Sequence, residues 1–261
     1  MSESLLITER DGDVFIIQLH RPQKFNALSN ELRAQVVAAI ESIRHDQSVR
    51  AVMIWGGNEA FAAGADLEEM VTRTPMEAMR QINDGPDITE ALASLRQPTV
   101  VAVAGLALGG GMEVTMAADI RIAASTAIFG QPEINVGLIP GAGGTQRLAR
   151  LVGLTKAKEM ILLGDRIDAH EALRIGLVNK VVPPEDLFNE AKSWAKRLAA
   201  KPMFAMRMAK LVIDRGYDAE LNQGLTMELL AFSAAFSTRD QKEGAQAFLE
   251  KRQPVFRGEA Q

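Results

Sequence analysis

The apolar positions in the first part of the chain indicate a β-hairpin followed by an amphipathic helix. Residues 5–9 and Val14–Leu19 alternate or run apolar around Asp11-Gly12, a dipeptide typical of tight hairpin turns. Ser29 belongs to the residue types that cap helices, and apolar residues follow it at helical spacing. The residues that form this apolar face are Leu32, Val36, Val37 and Ile40.

Short apolar runs further along predict buried strands separated by helices. Ala51–Trp55 and residues 99–104 are two such runs, and each is followed by glycine. A helix is predicted at 86–96, between these two strands, and another strand at 127–129. Alternating strands and crossover helices are typical of α/β architecture.

From about residue 155 the apolar spacing becomes mainly helical, with one strand predicted at 177–182. The predicted helices cover residues 155–163, 168–175, 184–200, 202–215, 218–236 and 240–250. No internal repeat and no low-complexity linker is visible. We therefore predict an α/β core over residues 1–197 that carries the functional site, followed by a helical region over residues 198–261.

Composition and charge exclude several classes of protein. The net charge of −4 and the pI near 5.6 argue against a general nucleic-acid or membrane surface. Without cysteine the chain has no disulfide and no thiolate metal site, and its three histidines show no metal-ligand spacing. The N-terminus lacks a signal-peptide pattern, and no apolar run reaches ~18–20 residues. We therefore expect a soluble cytoplasmic protein without a metal.

The stretch 105–147 holds the candidate chemistry. Gly109, Gly110 and Gly111 precede a short helical pattern, so backbone amides there can approach a ligand closely and bind a negative oxygen. Glu113 falls in the first turn of that helix, and Glu133 follows a second break after a predicted strand. Two carboxylates beside such amides suggest acid–base chemistry on a carbonyl compound, although spacing alone leaves open a plain turn and a glutamate that only compensates the helix dipole.

Two phosphate-binding motifs fail in this stretch. Gly105 and Gly110 have the separation of a Walker loop, but Gly111-Met112 stands where Lys-Ser/Thr is needed. Gly141-Ala142-Gly143 begins like a dinucleotide fingerprint, but Gln146 occupies the third glycine position. Neither motif supports nucleotide binding.

Taken together, the motifs resemble the enoyl-CoA hydratase/isomerase family, also called the crotonase family. The matching segments occur in the family's order and span nearly the whole chain. They are HRPQKFNALS (20–29), FAAGADLEEM (61–70), AGLALGGGMEV (104–114), FGQPEINVGLIPGAGGTQRL (129–148) and AFLEKR (247–252). The resemblance implies a crotonase-like spiral of ββα units, with a C-terminal helical region that packs in trimers, commonly paired into hexamers.

The resemblance also implies roles for individual residues. Backbone amides of Ala65 and Gly110 would form an oxyanion hole for the thioester oxygen. Glu113 would accept a proton from a water that adds to C3, and Glu133 would deliver one to C2. Coenzyme A would enter as part of the substrate, so no separate cofactor is expected. Its binding residues would be Lys24, Ala63, Ala65 and, from a neighbouring subunit, Phe248 and Lys251.

Three functions stay open at this point. An enoyl-CoA hydratase is favoured because both glutamates are present. An isomerase of the same fold needs one well-placed carboxylate, and a CoA- or RNA-binding relative without turnover is disfavoured by the acidic charge balance. Residues 71–85 are expected to line the acyl pocket, but they do not fix acyl length, branching or pathway.

Overall fold

A six-stranded sheet forms the larger layer of the computed structural model, which describes residues 4–257. Its strands lie in the order β1-β2-β3-β5-β7-β10; only β1 and β2 pair antiparallel. Most of these strands read as continuous apolar runs because both faces of the sheet are covered. The strands are β1 (Leu6–Asp11), β2 (Val14–Leu19), β3 (Ala51–Trp55), β5 (Thr99–Val103), β7 (Ile120–Ala124) and β10 (Lys180–Val182).

A second sheet of four short strands in the order β4-β6-β8-β9 supplies the loops of the candidate site. Strands β4, β6 and β8 each follow a strand of the large sheet after a short connection and run parallel to one another. Each then leads into helical structure, which gives the repeated ββα units that the family resemblance implies. The strands are β4 (Ala60–Ala62), β6 (Leu106–Leu108), β8 (Ile128–Gly130) and β9 (Arg166–Asp168).

Twelve α-helices complete the described part of the chain, and two apolar cores hold the layers together. One core joins one face of the large sheet to the small sheet and to several helices, while the other lies between the large sheet and α9. The helices are α1 (Asn30–Ile43), α2 (Leu67–Met70), α3 (Pro75–Asp84), α4 (Ile88–Ala93), α5 (Gly110–Ala117), α6 (Gly144–Val152), α7 (Leu154–Leu163), α8 (Ala169–Arg174), α9 (Leu187–Ala199), α10 (Met203–Tyr217), α11 (Leu221–Ala235) and α12 (Arg239–Leu249).

Several elements follow the sequence expectations, and two predicted elements are reduced to about half their length. The hydroxyl of Ser29 caps α1 by accepting a hydrogen bond from Leu32 N at 3.2 Å. Of the strand predicted at 177–182 only β10 forms, and just before it Arg121 N donates to the side chain of Asn179 rather than to a backbone carbonyl. The helix predicted at 86–96 shortens to α4, which Asp87 caps.

The C-terminal helices are attached to the core at few points. Helix α9 packs on the large sheet, whereas α10 and α11 pack extensively against each other. Ion pairs Lys210–Asp119 (2.9 Å) and Arg150–Asp218 (3.1 Å) connect this pair of helices to the core. The boundary predicted after residue 197 lies in the last turn of α9. None of the described helices combines the length and apolar character that a membrane crossing requires.

Candidate active site

Gly109 and Gly110 form the turn that joins β6 to α5. Gly109 has a φ of 50°, in the left-handed region that favours glycine, and its N–H donates to Gly130 O at 2.9 Å. A Cβ atom on Gly109 would lie 2.8 Å from Glu133 Oε1, so the missing side chain leaves room for that carboxylate. Gly110 is the first residue of α5, and its amide therefore has no intrahelical acceptor.

The amide of Ala65 lies beside Gly110. The loop after β4 is held by hydrogen bonds from Leu28 N to Gly64 O (2.8 Å) and from Ala63 N to Phe25 O (2.9 Å). A Cβ atom on Gly110 would lie 3.8 Å from Ala65 N, and Ala65 N donates to no other described residue. The structure thus places two unpartnered backbone amides next to each other, as an oxyanion hole requires.

Glu113 is held by two amides from the loop before α6. Its Oε1 accepts from Ala142 N and Gly144 N, both at 2.7 Å, and the residue is 3% exposed. A Cβ atom on Gly144 would lie 2.9 Å from the same oxygen, so this position has no room for a side chain. No described residue bonds to Oε2, which leaves that oxygen for a ligand.

Burial raises the pKa of Glu113 above its usual value. Its two amide hydrogen bonds oppose this by stabilising the ionised form, and so do the positive charges of Arg33 and Arg147. The ionised form of Glu113 is therefore stabilised by these groups, although the residue is almost completely buried.

Glu133 lies in the first turn of the short 3₁₀ helix Pro132–Val136, which follows β8. Burial raises the pKa of Glu133 and the charge of Glu113 adds to this, while its own backbone N–H opposes them, so that the pKa lies at about 7. Because the two carboxyls influence each other, the site can hold one proton between them near neutral pH, and the apparent pKa values belong to the pair.

Gln131 is a site residue that the sequence reasoning missed. It is fully buried, and with its amide nitrogen facing Glu133, Nε2 donates to Oε1 at 3.0 Å and to Oε2 at 3.1 Å. In the opposite orientation, Nε2 of Gln131 donates to Gly109 O at 3.5 Å. The Oε1 of Gln131 then faces the carboxyl of Glu133, which can donate to it once that carboxyl is protonated. The amide can therefore partner either protonation state of Glu133. A polar residue at the end of a strand, directly before Pro132, is the only signal that the sequence offered.

The predicted CoA-binding residues divide into two groups. Lys24 lies beside the loop that contains Ala63 and Ala65. Its Nζ pairs at 2.7 Å with Oε1 of Glu68 in α2, the helix that follows this loop. Phe248 and Lys251 lie on α12 and just beyond it, and the Phe248 side chain is 83% exposed. No hydrogen bond or ion pair within residues 4–257 joins these two to the loops above.

Comparison with known proteins gives matches that cover nearly the whole chain. The enoyl-CoA hydratase/isomerase family matches residues 9–259. The probable enoyl-CoA hydratase echA8 of Mycobacterium tuberculosis is 45% identical, and the match covers 98% of this chain and 99% of that protein. The short-chain-enoyl-CoA hydratase of Clostridium acetobutylicum is 43% identical over 95% of both chains. The crystal structure of an enoyl-CoA hydratase from Bacillus anthracis superposes with a TM-score of 0.93 at 38% identity, covering 98% of this chain and 100% of that one.

Proposed function

This chain belongs to the enoyl-CoA hydratase/isomerase family, and from that premise we propose that it is an enoyl-CoA hydratase. The enzyme adds water across the 2,3 double bond of a trans-2-enoyl-CoA and forms a 3-hydroxyacyl-CoA. One observation carries the proposal: the buried carboxyl of Glu113 and the half-buried carboxyl of Glu133 flank a pair of unpartnered amides.

The two amides polarise the thioester. Its carbonyl oxygen accepts hydrogen bonds from Ala65 N and Gly110 N, and this oxygen gains negative charge when water attacks C3. Donors that are already in position stabilise the enolate-like transition state, by about 3–4 kcal/mol each in comparable oxyanion holes. The positive end of the α5 dipole acts in the same direction.

The two glutamates divide the proton transfers. Ionised Glu113 takes a proton from the attacking water through Oε2, since Oε1 is bonded to two amides. The water oxygen bonds to C3, and the electrons of the double bond move onto the thioester as an enolate. Protonated Glu133 then gives its proton to C2, which regenerates the carbonyl. The proton has moved from Glu133 to Glu113 in total, and exchange with solvent restores the starting pair.

The hydration rate is expected to fall as pH rises above about 7. Glu133 must carry a proton to serve C2, and its pKa lies at about 7, so each further pH unit removes about 90% of the active form. On the acid side the rate should fall as Glu113 becomes protonated. Because burial raises the pKa of Glu113, this fall should begin at a higher pH than for an ordinary glutamate. The measurement is kcat/KM against pH, and an unchanged rate up to about pH 9 would contradict the assignment of Glu133 as the acid.

Coenzyme A is expected to lie across the loop that contains Ala63 and Ala65. Backbone groups of this loop face the adenine in the binding mode that the family resemblance implies, and Lys24 at its edge offers a positive charge to the phosphates. Lys24 is paired with the exposed Glu68, and a phosphate can replace that weak surface pair at little cost.

The C-terminal helices suggest that the protein assembles as a homotrimer or homohexamer. Large apolar side chains of α10 and α11 are exposed in one chain, and α12 makes no extended contact with another described element. Several large exposed apolar side chains on two helices that pack together are typical of an interface. The exposed residues on α10 and α11 include Leu211, Ile213, Leu225, Leu229, Leu230 and Phe232, and Phe236 follows directly after α11. In such an assembly a neighbouring subunit supplies Phe248 and Lys251.

Light scattering is expected to give three or six times the mass of one chain at micromolar concentration. The double variant Leu229→Asp/Phe232→Asp should be monomeric, because each apolar side chain in the interface would be replaced by a buried unpaired charge. Ile7→Asp, on the edge strand and outside this surface, is the control that should keep the assembly. A monomeric wild-type protein would remove Phe248 and Lys251 from the site.

One spectroscopic assay separates hydratase from isomerase and from a protein without turnover. The conjugated thioester of crotonyl-CoA absorbs in the near ultraviolet, and hydration removes this absorbance. Gain of the absorbance from a 3-enoyl-CoA would indicate the isomerase, for which one glutamate suffices. No change with either substrate would leave a CoA-binding protein and contradict the proposal.

A further inference from the structure

Arg33 places a guanidinium inside the site that the hydration mechanism does not use. It lies in the first turns of α1, and its Nε donates to Leu28 O at 3.2 Å. Its Nη2 lies 3.9 Å from the position that a Cβ on Gly110 would occupy. Among the neighbouring charges, that of Glu113 has the largest effect on the pKa of Arg33, which it raises. The side chain therefore lies beside both the oxyanion hole and the catalytic base.

The two Nη groups of Arg33 have no protein partner among residues 4–257. No ion pair or hydrogen bond within that range involves Nη1 or Nη2, although burial lowers the pKa of this guanidinium. Arg33 is only partly exposed, and removing a charged group from water is costly unless the group is paired. A ligand that supplies acceptor oxygens would provide the missing partner.

The carboxylates around Arg33 are already engaged with other groups. Glu69 accepts from Asn30 N at 3.1 Å and pairs with Arg73 at 3.5 Å. Asp87 caps α4 by accepting from Thr89 N and Glu90 N. Glu113 receives two amides on Oε1. None of these groups forms an ion pair with Arg33, so its charge remains directed into the site.

In the proposed binding mode the acyl chain passes this guanidinium. If the thioester oxygen lies on Ala65 N and Gly110 N and C3 lies between the two glutamates, the rest of the chain leaves from a space that Arg33 faces. Ile82 of α3 is apolar, and its Cδ1 would lie 3.6 Å from a Cβ on Gly141, next to the Ala142 amide that holds Glu113. This side of the site thus offers an apolar side chain for methylene groups in addition to one planar cation.

We propose that Arg33 determines acyl specificity by binding an oxygen-bearing end group, with a carboxylate on a short acyl chain as its best partner. This inference rests on the proposed function and specifies its substrate class as the CoA thioesters of short dicarboxylic acids. Because Nε is occupied by Leu28 O, the Nη1 and Nη2 pair remains to hold a carboxylate through two parallel hydrogen bonds. A long alkyl chain in the same place would strip water from the guanidinium without replacing its hydrogen bonds.

The test measures binding of three saturated thioesters, which cannot be hydrated: glutaryl-CoA, butyryl-CoA and octanoyl-CoA. Calorimetry on the wild-type protein should show glutaryl-CoA binding at least as tightly as butyryl-CoA. In Arg33→Met, the affinity for glutaryl-CoA relative to butyryl-CoA should fall at least tenfold, and the relative affinity for octanoyl-CoA should rise. Arg33→Lys keeps the charge but loses the planar pair of donors, so its loss for glutaryl-CoA should be intermediate.

Arg44→Met is the matched control, because Arg44 lies at the opposite end of α1 and already pairs with Glu41. It should leave the ratio of the glutaryl-CoA and butyryl-CoA affinities within twofold of wild type. The proposal is overturned if Arg33→Met also leaves that ratio within twofold. It is overturned on the wild-type protein alone, should the variant not fold, if octanoyl-CoA binds more than tenfold tighter than glutaryl-CoA. Hydration of crotonyl-CoA is measured separately, so a wrong substrate class and a wrong reaction give different results.

Discussion

Replacing Glu113 or Glu133 with glutamine is expected to lower kcat for hydration by about 10²–10⁴-fold in each case. Glutamine keeps the size and hydrogen bonding of glutamate, but it can neither accept nor release the proton. The Glu113→Gln variant should still fold, because the glutamine side chain retains an oxygen that can accept from the amides of Ala142 and Gly144. Steady-state kinetics with crotonyl-CoA measures the effect, and affinity for a saturated acyl-CoA should change little.

The double variant should be far less impaired than the product of the two single losses, because residues that act as a unit are not additive. Glu31→Gln, exposed at the start of α1, is the control for a glutamate outside the site. A Glu133→Gln enzyme with near wild-type hydration would argue against the paired mechanism.

Replacing Gly110 with proline is expected to lower kcat by about 10²–10³-fold, the usual effect of losing one oxyanion-hole donor. Proline removes the N–H, but it is compatible with the first position of a helix, where Gly110 lies in α5. Gly110→Ala is the matched variant because it retains the amide; its Cβ would lie 3.3 Å from Leu28 Cδ1, a tight contact that should cost less. Equal kinetics for the two variants would contradict a role for this amide in the oxyanion hole.

The sequence predicted the elements that carry strong local signals. Buried strands such as Ala51–Trp55 are continuous apolar runs, and Ser29 directly precedes a helical apolar pattern, so both follow from the residues alone. The strands of the small sheet were harder to recognise because each has only three residues, too few for a period. Helix α6 begins after Gly143 without any capping side chain, so its start carries no local signal in the sequence.

The sequence motifs indicate the two glutamates proposed for the site, but they do not indicate the long-range contacts that support them. Glu113 and Glu133 lie in motif positions, whereas the amides that hold Glu113 come from a distant loop, 29 and 31 positions later. Nothing local indicates that Gln131 would contact Glu133, or that Arg33 would face the oxyanion turn from another helix. Phe248 and Lys251 depend on a neighbouring chain, and their roles stay predictions.

Exchange of the C2 hydrogen tests the division of work between the glutamates most directly. Butyryl-CoA is incubated with enzyme in D₂O above pH 7, where Glu133 is ionised, and deuterium at C2 is followed by mass spectrometry. Only Glu133 is assigned to C2, so wild type and Glu113→Gln should both exchange this hydrogen, while Glu133→Gln should be at least about 100-fold slower. Exchange that persists in Glu133→Gln but disappears in Glu113→Gln would contradict the assignment.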